Sequence, residues 1–268
     1  MSHFRTVLFC VLTALLLWSP GSFTWAADTP KIPPAGATRV NPRDGAVMVY
    51  VPAGPFLMGD TSFANNPRRT VRLDGFWIYK NDVTVGQYRK FCQATRREMP
   101  PMPWWGWRDN HPVVNVTWAD SKAYCDWAHA ALPAEAQWEK AARGTDGRRY
   151  PWGSHWDPGK LQCSKKNIGD AGSTAPVGSF PAGASPYGCL DMAGNVWQWC
   201  AGRYDPSYDR NSGRRKPQVP ATGQRYVLRG GCRDWFDEGT FRSACRCMAD
   251  PTDKSDTIGF RAVRADLN

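Results

Sequence analysis

Tyr187-Gly-Cys-Leu-Asp-Met-Ala-Gly-Asn-Val-Trp-Gln-Trp199 is the stretch whose reading decides the fold. Trp197 and Trp199 lie two apart, so on an extended chain they share one face, and Leu190 and Met192 alternate in the same way. Asn195 follows Gly194, a place where a left-handed backbone costs little. The pattern predicts a buried strand entered through a tight polar turn. It says nothing yet of function.

Neighbouring motifs supply a context. Val49-Tyr-Val-Pro-Ala-Gly-Pro-Phe-Leu-Met-Gly59, Pro112-Val-Val-Asn-Val-Thr-Trp118 and Leu132-Pro-Ala-Glu-Ala-Gln-Trp-Glu-Lys-Ala-Ala-Arg143 precede it, the last followed by Tyr150-Pro-Trp-Gly153. Leu228-Arg-Gly-Gly231 and Ile258-Gly-Phe-Arg261 follow it. In this order and spacing the motifs resemble the formylglycine-generating enzyme family, also called the sulfatase-modifying factor family. The resemblance runs from Ala46 to Arg264. It implies an α+β domain over residues 46–268 with a C-type-lectin-like core, rich in loops and poor in regular structure.

Residues 1–26 read as a secretory signal peptide. Arg5 makes the positive start, Val7 to Leu17 the apolar run, and Ala26 ends the cleavage site. That run is too short to span a bilayer comfortably, and no later stretch approaches its length. The mature protein is therefore expected to be exported, periplasmic or secreted, without an integral membrane segment. Residues 27–45, rich in Pro, Ala and charge, are expected to form a flexible leader. The net charge of +10 comes from scattered basic residues. No stripe of Lys and Arg alternates with aromatics, which argues against a nucleic-acid partner. Eight cysteines follow the signal, Cys92, Cys125, Cys163, Cys189, Cys200, Cys232, Cys245 and Cys247. An even number in an exported chain favours disulfides, and Cys92 with Cys125 is one conceivable pair.

Taken in order, Val47 to Met58 alternates and turns at Pro52–Pro55, as a hairpin would, and Thr70 to Tyr79 has a strand pattern. Thr84 is a plausible N-cap for a helix carrying Val85, Tyr88, Phe91 and Cys92. A second helix is expected from Thr117 to His129, and a third within 133–143 with Pro at its start. The Met99–Trp107 stretch, dense in Pro, Met and Trp, is either a loop packed by its own aromatics or a ligand-binding lip. Residues 144–224 read as loop, and short strands close the fold after Tyr226.

The resemblance also directs attention to sites. Asn167, Ile168 (through its carbonyl) and Asp170 match a segment that supplies a Ca²⁺ site in the family, and hard oxygens on a flexible loop suit that ion. A second family site uses Asn-Val-Trp-Glu-Trp; here Gln198 replaces the Glu, leaving Asn195 and Gln198 as ligands without a carboxylate. An Asx-turn network without metal is the alternative. Active family members carry two cysteines five residues apart shortly after Arg-Gly-Gly, which bind Cu(I) and activate oxygen. The corresponding window, Arg233 to Thr240, contains no cysteine, so the copper site is absent as such. Cys232, Cys245 and Cys247 surround the gap and either form disulfides or hold a metal from a rearranged position. Asp234, Asp237, Glu238, Arg229 and Arg242 lie near the family's substrate groove and are candidates for polar or acid–base roles, against the plainer reading of a solvated loop. His3, His111, His129 and His155 are dispersed and form no metal-binding set.

The expectation is a monomeric maturation or accessory factor acting on a protein or peptide-derived substrate without the copper–cysteine site. Relatives lacking the cysteine pair include a siderophore-chromophore maturation factor and accessory proteins associated with nitrite reduction. A non-catalytic lectin-like binding module is the first alternative. Formylglycine formation on sulfatases through relocated cysteines is the second.

Overall fold

The computed structural model describes residues 32–164, 172–205 and 224–265. Strands and helices follow in the order β1 (Thr38–Val40), β2 (Val47–Val51), β3 (Gly54–Met58), β4 (Arg69–Leu73), β5 (Phe76–Tyr79), α1 (Val85–Thr95), α2 (Trp118–Trp127), α3 (Glu135–Arg143). β6 (Trp197–Arg203), β7 (Tyr226–Arg229), β8 (Cys247–Ala249), β9 (Ile258–Gly259) and β10 (Val263–Ala265) complete it. One antiparallel sheet has the order β1-β2-β5-β10, β3 and β4 form a separate hairpin, and the second sheet has the order β8-β7-β6-β9. Within the second sheet β9 runs parallel to β6. This is an α+β domain with long irregular connections, as the motifs implied.

The deciding stretch folds as its pattern requires, with one adjustment. Asn195 has φ 63° and Gly194 φ 78°, and β6 starts only after this turn, so Leu190 to Val196 is irregular. A Cβ on Gly194 would stand 2.4 Å from the Gln162 carbonyl oxygen, which leaves room for glycine alone. Within β6 the alternation holds. Trp197 and Trp199 enter the largest apolar cluster with Tyr88, Phe91, Tyr124 and Phe260. Cys200 faces the other cluster, with Trp138, Ile78 and Val227. β6 thus joins both cores, which is why two tryptophans at this spacing carry so much of the fold.

The helices are set by their caps. Thr84 Oγ1 accepts from Gln87 N while Gln87 Oε1 accepts from Thr84 N, a reciprocal arrangement that satisfies two otherwise orphaned donors. Thr117 and Asp120 do the same for α2. Pro133 lies one residue before the N-cap Ala134 of α3, outside the helix it was expected to begin.

Two further expectations need correction. Residues 38–45 do not belong to a flexible leader. β1 pairs with β2, and Asp44 is buried, accepting from the hydroxyls of Tyr79 and Tyr124 at 2.7 and 2.6 Å. The segment reads as polar because its polar atoms bond inward, to tyrosines far along the chain. Thr70–Tyr79 is two strands in different sheets, parted by the Asp74–Gly75 turn. Among the described residues no helix is long and apolar enough to cross a membrane.

Candidate functional site

β7 ends at Arg229, and after Gly230-Gly231 the chain turns back toward β8 through the cysteine-free window Arg233–Thr240. Gly231 has φ 76°, and a Cβ there would meet the Phe241 ring at 2.7 Å. The turn docks on the Gly194–Asn195 turn, because Gly194 N donates to Gly230 O at 2.9 Å and Arg233 N to Asn195 O at 3.0 Å. Two glycine turns thus bring the deciding stretch against the window.

Arg233 is the first residue of that window. It is only 3% exposed, forms ion pairs with Asp234 and with Asp256 (3.2 Å), and holds its guanidinium 4.6 Å over the Trp105 ring. That contact ties the Met99–Trp107 loop to the 232–242 loop. Trp104 meets Trp105 edge to face at 5.3 Å. On these two joined loops Met102, Trp104, Trp235 and Phe236 are 68, 75, 40 and 48% exposed. Large exposed aromatics on rigidly held loops are the usual mark of a surface that meets another molecule. The backbone beneath is fixed by Ser164 N donating to Trp235 O and Trp235 N to Cys232 O.

The acidic and basic candidates separate. Asp234 belongs to the Arg233 pair. Asp237 caps the short 3-10 turn Glu238–Phe241 by accepting from Gly239 N, and Glu238 is exposed. Arg242 lies near Tyr150 and 6.0 Å over Phe63. Arg229, expected near a groove, is instead fully buried. It donates to Glu139, to Ser243 O and to Cys245 O. Glu139 also accepts from Gly59 N, Arg143 and Asn66. Burial pushes the Glu139 carboxyl up, but Arg229, Arg143 and the Gly59 N–H outweigh it and leave it below its ordinary value. Beside it Arg246 forks onto Glu135 at 2.7 and 2.9 Å. This network pins residues 243–246 to α3 and so fixes where the cysteines lie.

The cysteines do not gather into one site. Cys232 is buried in the largest cluster, with its thiol pushed by burial up to about 12. Burial likewise raises Cys245 to about 11, and raises Cys247. Among the described residues no group of three or more His, Cys, Asp or Glu side chains is arranged to hold a metal. Among the described residues, Cys92, Cys125, Cys189, Cys200, Cys232, Cys245 and Cys247 are free thiols and not the disulfide staples expected of them. Five of them pack as small apolar side chains, Cys92, Cys125 and Cys232 in one core and Cys189 and Cys200 in the other. The Cys92 thiol donates to Glu98 O and makes no bond to Cys125.

Asn167, Ile168 and Asp170 lie outside the described residues. The Asn195–Gln198 pair does not fit a Ca²⁺ ion. Gln198 Oε1 accepts from Trp138 Nε1 and from Arg261 Nε, both at 2.7 Å, while its amide donates to Asp191 O. A guanidinium on the oxygen repels a cation and occupies the lone pair it would need. Asn195 spends its side chain on Ala175, accepting from its N–H and donating to its carbonyl. The carboxamide at 198 is a core joint between α3, β6 and the Gly-Phe-Arg261 motif.

Residues 34–266 match the sulfatase-modifying factor enzyme 1-like domain. The chain belongs to that family. It is 33% identical to the formylglycine-generating enzyme of Streptomyces coelicolor, over 90% of this chain and 97% of that protein. It is also 28% identical to the mouse inactive Cα-formylglycine-generating enzyme 2, over 92% and 93%. Among solved structures, PvdO from Pseudomonas aeruginosa superposes with a TM-score of 0.74 at 26% identity, over 87% of this chain and 99% of PvdO. The matches span nearly the full length of these proteins.

Sequence reasoning did not single out Arg233, Asp256, Trp235 or Phe236. A signal existed in Trp235-Phe236, an apolar pair set between Asp234 and Asp237 in a loop with no alternation to bury it. Nothing local announces that Arg233 reaches Trp105, more than a hundred residues away.

Proposed function

We propose that this protein is a maturation or accessory factor of the sulfatase-modifying factor family, exported, that takes a protein or peptide-derived substrate on the aromatic surface around Arg233. The observation that carries the reading is the replacement at the window itself. An ion-paired, stacked arginine flanked by exposed Trp104, Trp235 and Phe236 stands where an active family member needs accessible thiols. Buried thiols with raised pKa values are poor nucleophiles and poor metal ligands, which counts against formylglycine formation through Cys232, Cys245 or Cys247. A Ca²⁺ ion held by Asn167, Ile168 and Asp170 belongs to the proposal as a structural ion.

A second reading is favoured by one observation. Cys232 lies buried beneath the surface instead of lining a deep polar pocket, as a non-catalytic binding module would allow. Deleting the gene in the producing organism and comparing exported proteins and peptide-derived compounds by mass spectrometry separates the two. A maturation factor leaves an unprocessed precursor to accumulate, with a defined mass difference from the product. A pure binding module leaves every covalent structure unchanged.

A further inference from the structure

Apart from the Arg233 pair, a cavity of about 440 Å³ opens between the first turn of α1, the Glu98–Pro101 segment, the first turn of α2 and the loop at Lys254. Its volume falls in the range of small-molecule sites. Its floor is Tyr88, whose ring is fixed by Tyr124 stacked at 5.7 Å and Phe91 edge-on at 5.2 Å. Tyr88 is 3% exposed, and its hydroxyl makes no hydrogen bond among the described residues. Tyr88 lines the cavity together with Asp120, and its unbonded hydroxyl is not among the side-chain atoms shut off from solvent. The unbonded hydroxyl is thus a donor that a ligand in the cavity can engage.

The walls say what kind of ligand. Asp120 spends Oδ2 on Thr117 N and Oγ1, at 3.1 and 2.7 Å, while Oδ1 makes no hydrogen bond among the described residues. The exposed Glu98 carboxylate and Lys254 ammonium likewise make no ion pair among the described residues. Two acids and one ammonium around one cavity suit a molecule carrying both charges. Met99, Pro100 and Pro101 add an apolar wall.

We propose that this cavity binds a zwitterionic ligand of short-peptide size. Its ammonium group lies between Glu98 and Asp120, its carboxylate at Lys254, a backbone polar atom at the Tyr88 hydroxyl, and its apolar part on Met99–Pro101. The site adjoins the Arg233 surface, since Asn115 Nδ2 donates to Pro101 O at 2.8 Å and Asn115 N to Ser255 O, next to Asp256. It stands whether or not that surface handles a maturation substrate.

Titration calorimetry of the full chain with L-alanyl-L-leucine, its N-acetyl form and its C-terminal amide tests this. The free dipeptide should bind saturably, and blocking either terminus should weaken it about tenfold or more, the scale of one charge-assisted hydrogen bond. Lys254→Met, a surface change that leaves the fold intact, should weaken the free dipeptide to the level of the amide and leave the amide unaffected. Tyr88→Phe should weaken all three, with an unchanged melting temperature. Equal binding of the three probes, dependence on one terminus only, insensitivity to Lys254→Met, or no saturable heat at millimolar concentration would each overturn the proposal.

Discussion

Replacing Glu139 with Gln tests the joint that holds the candidate surface in place. The carboxylate is fully buried and receives Gly59 N, Arg143, Asn66 and Arg229. The amide keeps the shape but removes the charge and turns an N–H₂ toward a guanidinium. Arg229 and Arg143 are then buried with the nearest remaining carboxylate, Glu135, 3.7 Å from Arg229 Nε and already forked by Arg246. Breaking such a pair costs about 3–5 kcal/mol, because the surviving charge is stranded out of water. For a domain of this size that corresponds to roughly 6–20 °C in Tm. Chemical and thermal denaturation at pH 7 read it directly. The folded carboxyl lies below its ordinary value of 4.5, so its contribution is present above that value and lost as pH falls through the folded one. The gap between wild type and Glu139→Gln should therefore be full at neutral pH and shrink in acid. Adding Arg229→Met should cost less than the sum of the single changes, since the stranded charge leaves with its partner. A loss below about 1 kcal/mol at pH 7, the scale of a single neutral hydrogen bond, would refute the reasoning.

Further outcomes follow from the same geometry. Thr84→Ala and Thr117→Ala each remove a reciprocal helix cap and should cost about 1 kcal/mol by urea denaturation, with no change in m-value. With Cys232 raised to about 12 and Cys245 to about 11, alkylation at pH 8 should run about a hundredfold slower at Cys245, and slower still at Cys232, on the native than on the unfolded chain; peptide mapping after timed quenching measures it. Arg233→Met should free Trp105 from its cation and loosen the Met99–Trp107 loop, seen as faster backbone hydrogen exchange there, while the core amides of β6 and β7 keep their protection.

Much of the fold was legible because its signals are local. The two-residue spacing of Trp197 and Trp199, the Gly194–Asn195 turn and the threonine caps each state their conformation within a few residues. Where the reading failed, the deciding contact was remote. Asp44 reads as solvated leader until Tyr79 and Tyr124 are seen to bond it. Arg229 reads as a groove residue until α3 presents Glu139. Gln198 reads as a weakened ion ligand until Arg261 and Trp138 are found on its oxygen. The surface was half legible. The aromatic loop at 99–107 stood out by composition, but its bond to Arg233 is made across the fold. The cysteines misled for a different reason. Their number and an export signal suggest disulfides, whereas buried thiols pack as small apolar groups with no need of one another.

The most direct measurement is complementation of the gene deletion by two variants, read by mass spectrometry of exported proteins and peptide-derived compounds. One carries Cys232→Ala, Cys245→Ala and Cys247→Ala, the other Trp104→Ala and Trp235→Ala, both checked for folding by melting temperature. The account predicts that the cysteine-free variant restores the product and the aromatic-free variant leaves the precursor. Loss of product in the cysteine variant, with the aromatic variant fully active, would contradict it.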